Sequence, residues 1–260
     1  MKVVILCGGE GMKLREKTEE IPKPLVEIGG RPILWHIMKY YSCFGFTDFI
    51  LCLGYKGEKI KEYFLEYKSW KYCDFKLQFG QENKRIEEKR TDMENWSIIF
   101  AETGRETKTG GRIKKIEKYI EEPVFTVTYG DGLAAIDLDD LIRYHKNHRK
   151  MATITCANAR CQFGIVEMDS NNVVISYRQK PLLNRWVNGG FFVFDKKIFS
   201  YITENDELEG DVLVRLVRQK QICGYKLEEF WHCMDTYKDT QNLNELWKTD
   251  KAPWKIWKDA

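Results

Sequence analysis

Short apolar runs alternate with longer amphipathic stretches along most of this chain. Residues 2–7 read Lys-Val-Val-Ile-Leu-Cys, a β-branched run without a polar face, which predicts a strand buried on both sides. Residues 33–44 carry apolar side chains at helical spacing behind Pro32, a residue suited to a first helical turn. Residues 48–55 return to strand character and 57–67 to a helix. Further on, 96–101 predicts a strand, 113–119 a helix, and 124–132 a buried strand that ends in an acidic turn. Residues 137–148 read as a helix and 151–157 as another strand. Strand and helix alternating over short connections predict a parallel sheet covered by helices.

The pattern changes in the second half. From 163 to 194 apolar and polar residues alternate singly, which predicts antiparallel strands. A helix is expected at 209–220, then the stretch Trp231-His232-Cys233-Met234-Asp235-Thr236, a helix over 240–247, and a closing segment with Trp254 and Trp257. The dense charge run 84–94 reads as a solvated loop or sheet edge. No repeat, low-complexity linker or composition break divides the 260 residues, so one α/β domain over 1–260 with a β-rich insertion is the simplest account.

Composition narrows the partners. With 42 basic and 39 acidic residues the net charge is +3, too balanced for a nucleic-acid surface, although a local phosphate site is compatible with it. No apolar stretch approaches the roughly 18 residues of a membrane span, and the N-terminal run meets glycines too soon for a signal peptide. The eight cysteines (7, 43, 52, 73, 156, 161, 223 and 233) contain no C-x-x-C pair. They read as free thiols of a reducing compartment, which points to the cytoplasm, and not as a zinc site.

Three glycines, Gly8, Gly9 and Gly11, follow the first strand, with Lys13 and Arg15 close behind. Bare backbone next to cations suits a phosphate, although composition alone equally allows a tight structural turn. The spacing fits neither G-x-x-x-x-G-K-[ST] nor G-x-G-x-x-G. Lys23 stands between Pro22 and Pro24, whose rings restrict the local backbone.

Taken together, GGEGMKLRE and PKPLVEIGGRPIL resemble the N-terminal signature of sugar-1-phosphate nucleotidylyltransferases, G-G-x-G-T-R-L followed by P-K-P. The resemblance continues through HIMKYY, GYKGEKIKEYF, TGGR, TYGDG, QKP, VNGGFFVF, WHCMDT and KAPWKIW, and is greatest to the glucose-1-phosphate cytidylyltransferase branch. It implies a Rossmann-like nucleotidyltransferase fold with a mixed central sheet. The implied reaction joins CTP and a sugar 1-phosphate to give a CDP-sugar and pyrophosphate, with Mg²⁺ as cofactor and a homo-oligomer as the assembly.

The resemblance also assigns residues. Asp131 and Asp235 match the metal carboxylates, and Lys23 a lysine at the reacting phosphates. Gly8, Gly9, Gly11 and Gly130 fall in the nucleotide-binding turns. Thr109, Gly110, Gly111 and Arg112 match a segment that recognises nucleotide and phosphates. Gln179 and Lys180 match positions at the sugar phosphate, Asn188 and Gly189 positions at the sugar, and Glu209 lies near an acid that reaches sugar hydroxyls. Two departures stand out. Met12-Lys13 replaces the family's Thr-Arg, exchanging a planar two-pronged cation for a flexible point charge. Gln179 replaces a glutamate, so an acceptor loses charge and gains a donor. These leave two alternatives open: the same chemistry on another acceptor or nucleotide, and a weakly active nucleotide-binding relative.

Overall fold

The computed structural model describes residues 1–10, 20–66, 75–78, 85–88, 95–161 and 163–258. Seven strands build the central sheet: β1 (Val3–Leu6), β2 (Asp48–Leu53), β3 (Ser97–Glu102), β4 (Val124–Tyr129), β5 (Ala152–Arg160), β6 (Leu182–Asp195) and β7 (Ile222–Leu227). Their spatial order is β7–β5–β6–β4–β1–β2–β3. The half containing β4, β1, β2 and β3 is parallel, as the strand–helix alternation predicts. The long strand β6 runs antiparallel to both β4 and β5, and β7 lies parallel to β5, so the sheet is mixed.

Successive side chains of a strand point to opposite faces, and the core divides accordingly. Val3 and Ile5 of β1 join Phe49 and Leu51 of β2 in one apolar layer. Val4 and Leu6 join Ile50, Cys52, Phe125 and Val127 in the other. Helices α1 (Ile33–Ser42) and α4 (Leu138–His148) cover the first layer, while α3 (Thr109–Lys115) and α5 (Leu213–Arg218) cover the second; α2 (Gly57–Leu65) and α6 (Tyr237–Lys248) also pack on the first, through Ile60 and Leu243. Each fully buried aliphatic side chain contributes roughly 1.5–3 kcal/mol.

Helix α3 begins at Thr109 and ends at Lys115, earlier than the expected 113–119, where only a 3₁₀ turn, Glu117–Tyr119, closes the segment. Gly110 and Gly111 hide its start, because glycine costs about 1 kcal/mol in a helix interior. Tertiary packing explains them. A Cβ on Gly110 would lie 2.6 Å from the Asp206 carbonyl oxygen, and one on Gly111 2.1 Å from that of Glu204. The Gly111 amide donates to the Asp206 carbonyl across this contact at 3.0 Å. The helix expected at 209–220 is likewise shorter: a wide π turn at Leu208–Val212 leads into α5. Of the charged stretch 84–94, Arg85–Glu88 pairs with Phe75–Gln78 as a two-stranded ribbon, and the remainder lies outside the described residues. Ile165–Met168 and Val174–Arg178 form an antiparallel hairpin, as the single alternation predicts. Among the described residues, no helix is long and apolar enough to cross a membrane.

The Trp-rich end packs on its own chain. Trp254 is fully buried, and its indole N–H points at Nδ1 of His36 at 3.4 Å. His36, also fully buried, lies 2.8 Å through Nε2 from the Ile28 carbonyl. A carbonyl only accepts, so Nε2 carries the proton and Nδ1 accepts from Trp254. Trp35 and Trp247 set ring edges against the same imidazole, at centroid distances of 5.2 and 4.7 Å. Burial pushes the His36 pKa down to about 4. Between the unperturbed 6.5 and about 4, the unfolded chain binds a proton that the folded chain refuses, so stability falls as pH falls through that window. From pH 7.5 to 5.0 the His36 contribution is a loss of roughly 2 kcal/mol, readable as a lower urea midpoint. His36→Gln should flatten this slope; an unchanged slope would show that His36 titrates normally.

Candidate active site

A cavity of about 570 Å³ opens at the carboxyl ends of β1 and β4, where α/β sheets commonly bind ligands. Leu6, Cys7, Gly8 and Gly9 line it from the end of β1, and Tyr129, Gly130 and Asp131 from the end of β4. Lys23 and Pro24 enter from a 3₁₀ turn, Lys23–Leu25, that opens with the extended Pro22. The Leu25 amide bonds the Pro22 carbonyl at 2.8 Å and the Val26 amide the Lys23 carbonyl at 3.1 Å, so the turn holds Lys23 in place.

Asp235 arrives by strand pairing. Trp231–Cys233 pairs antiparallel with Gly132–Ala134, Cys233 opposite Gly132, and the Met234 amide donates to the Asp131 carbonyl at 2.9 Å. Beyond it, Thr236 caps α6 in a reciprocal box with Asp239, whose carboxylate also accepts from the Asp235 amide at 3.1 Å. Both sides of Asp235 are thereby fixed. Its carboxylate and that of Asp131 converge on Lys23, whose Nζ donates to them at 2.7 and 2.6 Å. Burial pulls the Lys23 pKa down, but the Asp131 charge and the hydrogen bonds to both carboxylates outweigh it, and the ammonium stays protonated beyond the usual lysine range. Cys233 completes the cluster: one donor atom from each of Asp131, Cys233 and Asp235 lies within 4.8 Å of the other two. Burial first, then the Asp131 charge, keeps its thiol protonated to higher pH than an ordinary cysteine.

A second network joins two of the lining residues, Thr109 and Tyr129. Thr109 Oγ1 donates to Glu209 at 2.8 Å and accepts from the Leu208 amide at 2.9 Å. Tyr129 donates its hydroxyl to the other Glu209 oxygen, and burial together with that carboxylate's charge pushes the phenol upward. Asn188 bonds the same tyrosine and accepts from the Gly190 amide at 2.9 Å. Gly189 accepts the Trp231 indole N–H through its carbonyl at 2.7 Å.

Of the residues singled out in the sequence, Gly8, Gly9, Lys23, Thr109, Arg112, Gly130, Asp131 and Asp235 come together around the cavity. Glu209, Asn188 and Gly189 join through the bonds just described. Gly11 and Lys13, with Met12, lie outside the described residues. Gly110 and Gly111 pack against the 204–206 backbone and do not line the cavity. Gln179 and Lys180 are exposed beyond the hairpin and are not among the described residues that line the cavity. The Gln179 amide oxygen accepts from Tyr177, and Lys180 sits in a left-handed turn at φ 47°.

Arg112 has a structural role beside its place in the cavity lining. Its buried guanidinium bonds the carbonyls of Leu53 and Gly8 at 3.0 Å, Gly104 at 2.8 Å and Arg105 at 3.0 Å, and the Thr103 hydroxyl at 2.7 Å. It ties the loops after β1, β2 and β3 together and so shapes the cavity floor. Gly8 is a consequence: a Cβ there would stand 2.1 Å from the guanidinium, which is held by five acceptors and cannot swing aside. A Cβ on Gly9 would meet nothing within 4 Å among the described residues. Gly8→Ala is therefore expected to destabilise the fold by about 1–3 kcal/mol, the scale of overpacking. Gly9→Ala should leave the melting temperature within a few degrees and impair nucleotide binding alone. Thermal melts and CTP titrations of the two variants separate these outcomes.

The comparisons with known proteins agree with this geometry. The family described as nucleotidyl transferase matches residues 2–255. The chain belongs to that family. It is 42% identical over 259 residues, 99% of this chain and 100% of the relative, to the protein named "Probable glucose-1-phosphate cytidylyltransferase" of Bacillus subtilis. To the glucose-1-phosphate cytidylyltransferase of Salmonella typhi it is 41% identical over 261 residues, again 99% and 100% of the two chains. The fold is shared with the crystal structure of HddC from Yersinia pseudotuberculosis, at TM-score 0.70 and 24% identity over 95% of this chain and 99% of that one.

Tyr129 and Cys233 were not singled out by the sequence reading. The tyrosine lies inside the Tyr-Gly-Asp-Gly turn, and the cysteine lies two residues before Asp235.

Proposed function

We propose that this nucleotidyltransferase joins CTP to glucose 1-phosphate, giving CDP-glucose and pyrophosphate. The observation that carries the reading is the convergence of Asp131, Asp235 and Lys23 at the mouth of a nucleotide-sized cavity, in a chain similar over its whole length to glucose-1-phosphate cytidylyltransferases.

A sugar phosphate oxygen attacks the α-phosphorus of CTP, and pyrophosphate leaves from the opposite side. The chain supplies position and charge for this displacement more than covalent chemistry. Asp131 and Asp235 are two carboxylates on one rim, the oxygen donors that magnesium prefers, and they would hold Mg²⁺. When bound there, Mg²⁺ neutralises phosphate charge along the reaction. Lys23 remains an ammonium at neutral pH, so it acts as a fixed positive charge toward the phosphates and not as a base. Gly9, with open space where a side chain would stand, lets the triphosphate approach the backbone. Arg112 holds that loop from beneath, and Lys13 supplies a cation in place of the family's arginine. The Tyr129–Glu209–Thr109 network presents acceptors suited to sugar hydroxyls.

The test is product analysis after incubation with CTP, glucose 1-phosphate and Mg²⁺. CDP-glucose and pyrophosphate should appear in equal amounts and vanish with chelator. CTP binding without any nucleotide sugar would refute the reading and leave a nucleotide-binding protein.

A further inference from the structure

The sequence offers no cysteine pattern for a soft metal, yet the fold places one thiol among the two carboxylates of the site. We propose that Asp131, Cys233 and Asp235 form a three-donor site for a thiophilic divalent cation, of the zinc or cadmium class, overlapping the place assigned to magnesium. The inference rests on the reading of Asp131 and Asp235 as the metal carboxylates and extends it to a third ligand and a different ion.

The geometry suits such an ion. An ion about 2.0 Å from oxygen and 2.3 Å from sulfur holds tetrahedrally arranged donors roughly 3.5 Å apart. The three donor atoms already lie within 4.8 Å of one another, so small side-chain rotations close the set. Backbone pairing fixes their placement: Cys233 stands opposite Gly132, one residue beyond Asp131, and the chain then turns at Met234, the Asp235 amide donating to the Cys233 carbonyl at 3.1 Å. Among the described residues, a Cβ on Gly132 would meet nothing within 4 Å, which leaves room on that side of the cluster. The carboxylates already hold a cation, since the Lys23 ammonium donates to both within 2.7 Å.

The donor set decides between ions. Magnesium takes oxygen ligands and gains nothing from sulfur. Zinc and cadmium gain a strong bond from the thiolate, a soft ligand that ions of this class prefer. Coordination releases the thiol proton to solvent and displaces Lys23 from the carboxylates. Micromolar zinc or cadmium would then compete with magnesium at the reacting centre and hold the enzyme inactive until chelated. Cys233 is thus the residue through which this site distinguishes hard from soft ions.

The experiment is a titration of the metal-stripped full-length chain with Cd²⁺, following the ultraviolet thiolate-to-cadmium absorption, beside a Mn²⁺ titration followed by electron paramagnetic resonance. Wild type should show the absorption at one equivalent. Cys233→Ser should lose it and bind Cd²⁺ at least tenfold more weakly, while its Mn²⁺ affinity and melting temperature stay near wild type. Asp235→Asn should weaken both ions, and Cys43→Ser should change neither. Absorption that is absent in wild type or survives in Cys233→Ser would overturn the proposal; unchanged Mn²⁺ binding would then leave the two-carboxylate reading intact. Mn²⁺ binding indifferent to Asp235→Asn would overturn that reading and this inference together.

Discussion

Replacing Asp131 with alanine is expected to lower Mg²⁺-dependent pyrophosphate release from CTP by about 10³-fold or more. Losing one preorganised charge contact to the transition state typically costs 10²–10³ in rate, and Asp131 carries two functions at once. It is one of the two carboxylates proposed to hold magnesium, and it is the 2.6 Å partner that positions the Lys23 ammonium. The fold should survive. The register of the neighbouring ribbon depends on the Asp131 carbonyl, through the Met234 amide, and not on its side chain. Initial rates and thermal melts on the same preparation check both halves. Asp131→Asn keeps the shape without the charge and should remain at least 10²-fold impaired. A rate within tenfold of wild type for either variant would place the metal carboxylate elsewhere.

Trp254→Ala is expected to produce the largest loss of stability, about 3–5 kcal/mol, the range for truncating a buried tryptophan. The indole fills the space between α1 and the end of the chain, tilted against Phe230 at a centroid distance of 5.5 Å. Its removal also leaves His36 Nδ1 without its donor inside an aromatic cage. For a chain of this size the loss corresponds to a fall in melting temperature of roughly 10 °C. Trp254→Phe keeps most of the volume and should lose less than half as much. A cost under 1 kcal/mol for alanine would mean that the tail adds little to the core. The same packing sets Trp247 and Trp257 against the core of their own chain.

The elements most legible in the sequence are those with one unbroken period. The all-apolar β1 and the amphipathic α4 behind Asp137 occupy their expected places to within a residue, because burial on a known number of faces dictates the pattern directly. Helix α3 was misplaced because its first turn contains two glycines, which are stabilised only by the 204–206 backbone lying against them. Strand direction was legible only in part: alternation reveals that β6 is a strand, but not that it runs between β4 and β5 and reverses the sheet.

The site divides in the same way. Lys23, Asp131 and Asp235 lie 108 and 212 positions apart, so only resemblance to a family could unite them before the fold was known. Arg112 lines the cavity, and its guanidinium also bonds backbone carbonyls at the end of β2 and in the segments after β1 and β3. No local pattern announces that role, because its acceptors are main-chain atoms from distant segments.

The central claim is tested most directly by kcat/KM for pyrophosphate release with Mg²⁺, measured across four nucleoside triphosphates and a set of sugar 1-phosphates. The account predicts that CTP with glucose 1-phosphate exceeds every other pair by at least tenfold, with Lys13 sufficient at the position where the family carries arginine. A higher value for another nucleotide or another sugar, or no release from any pair, would contradict it.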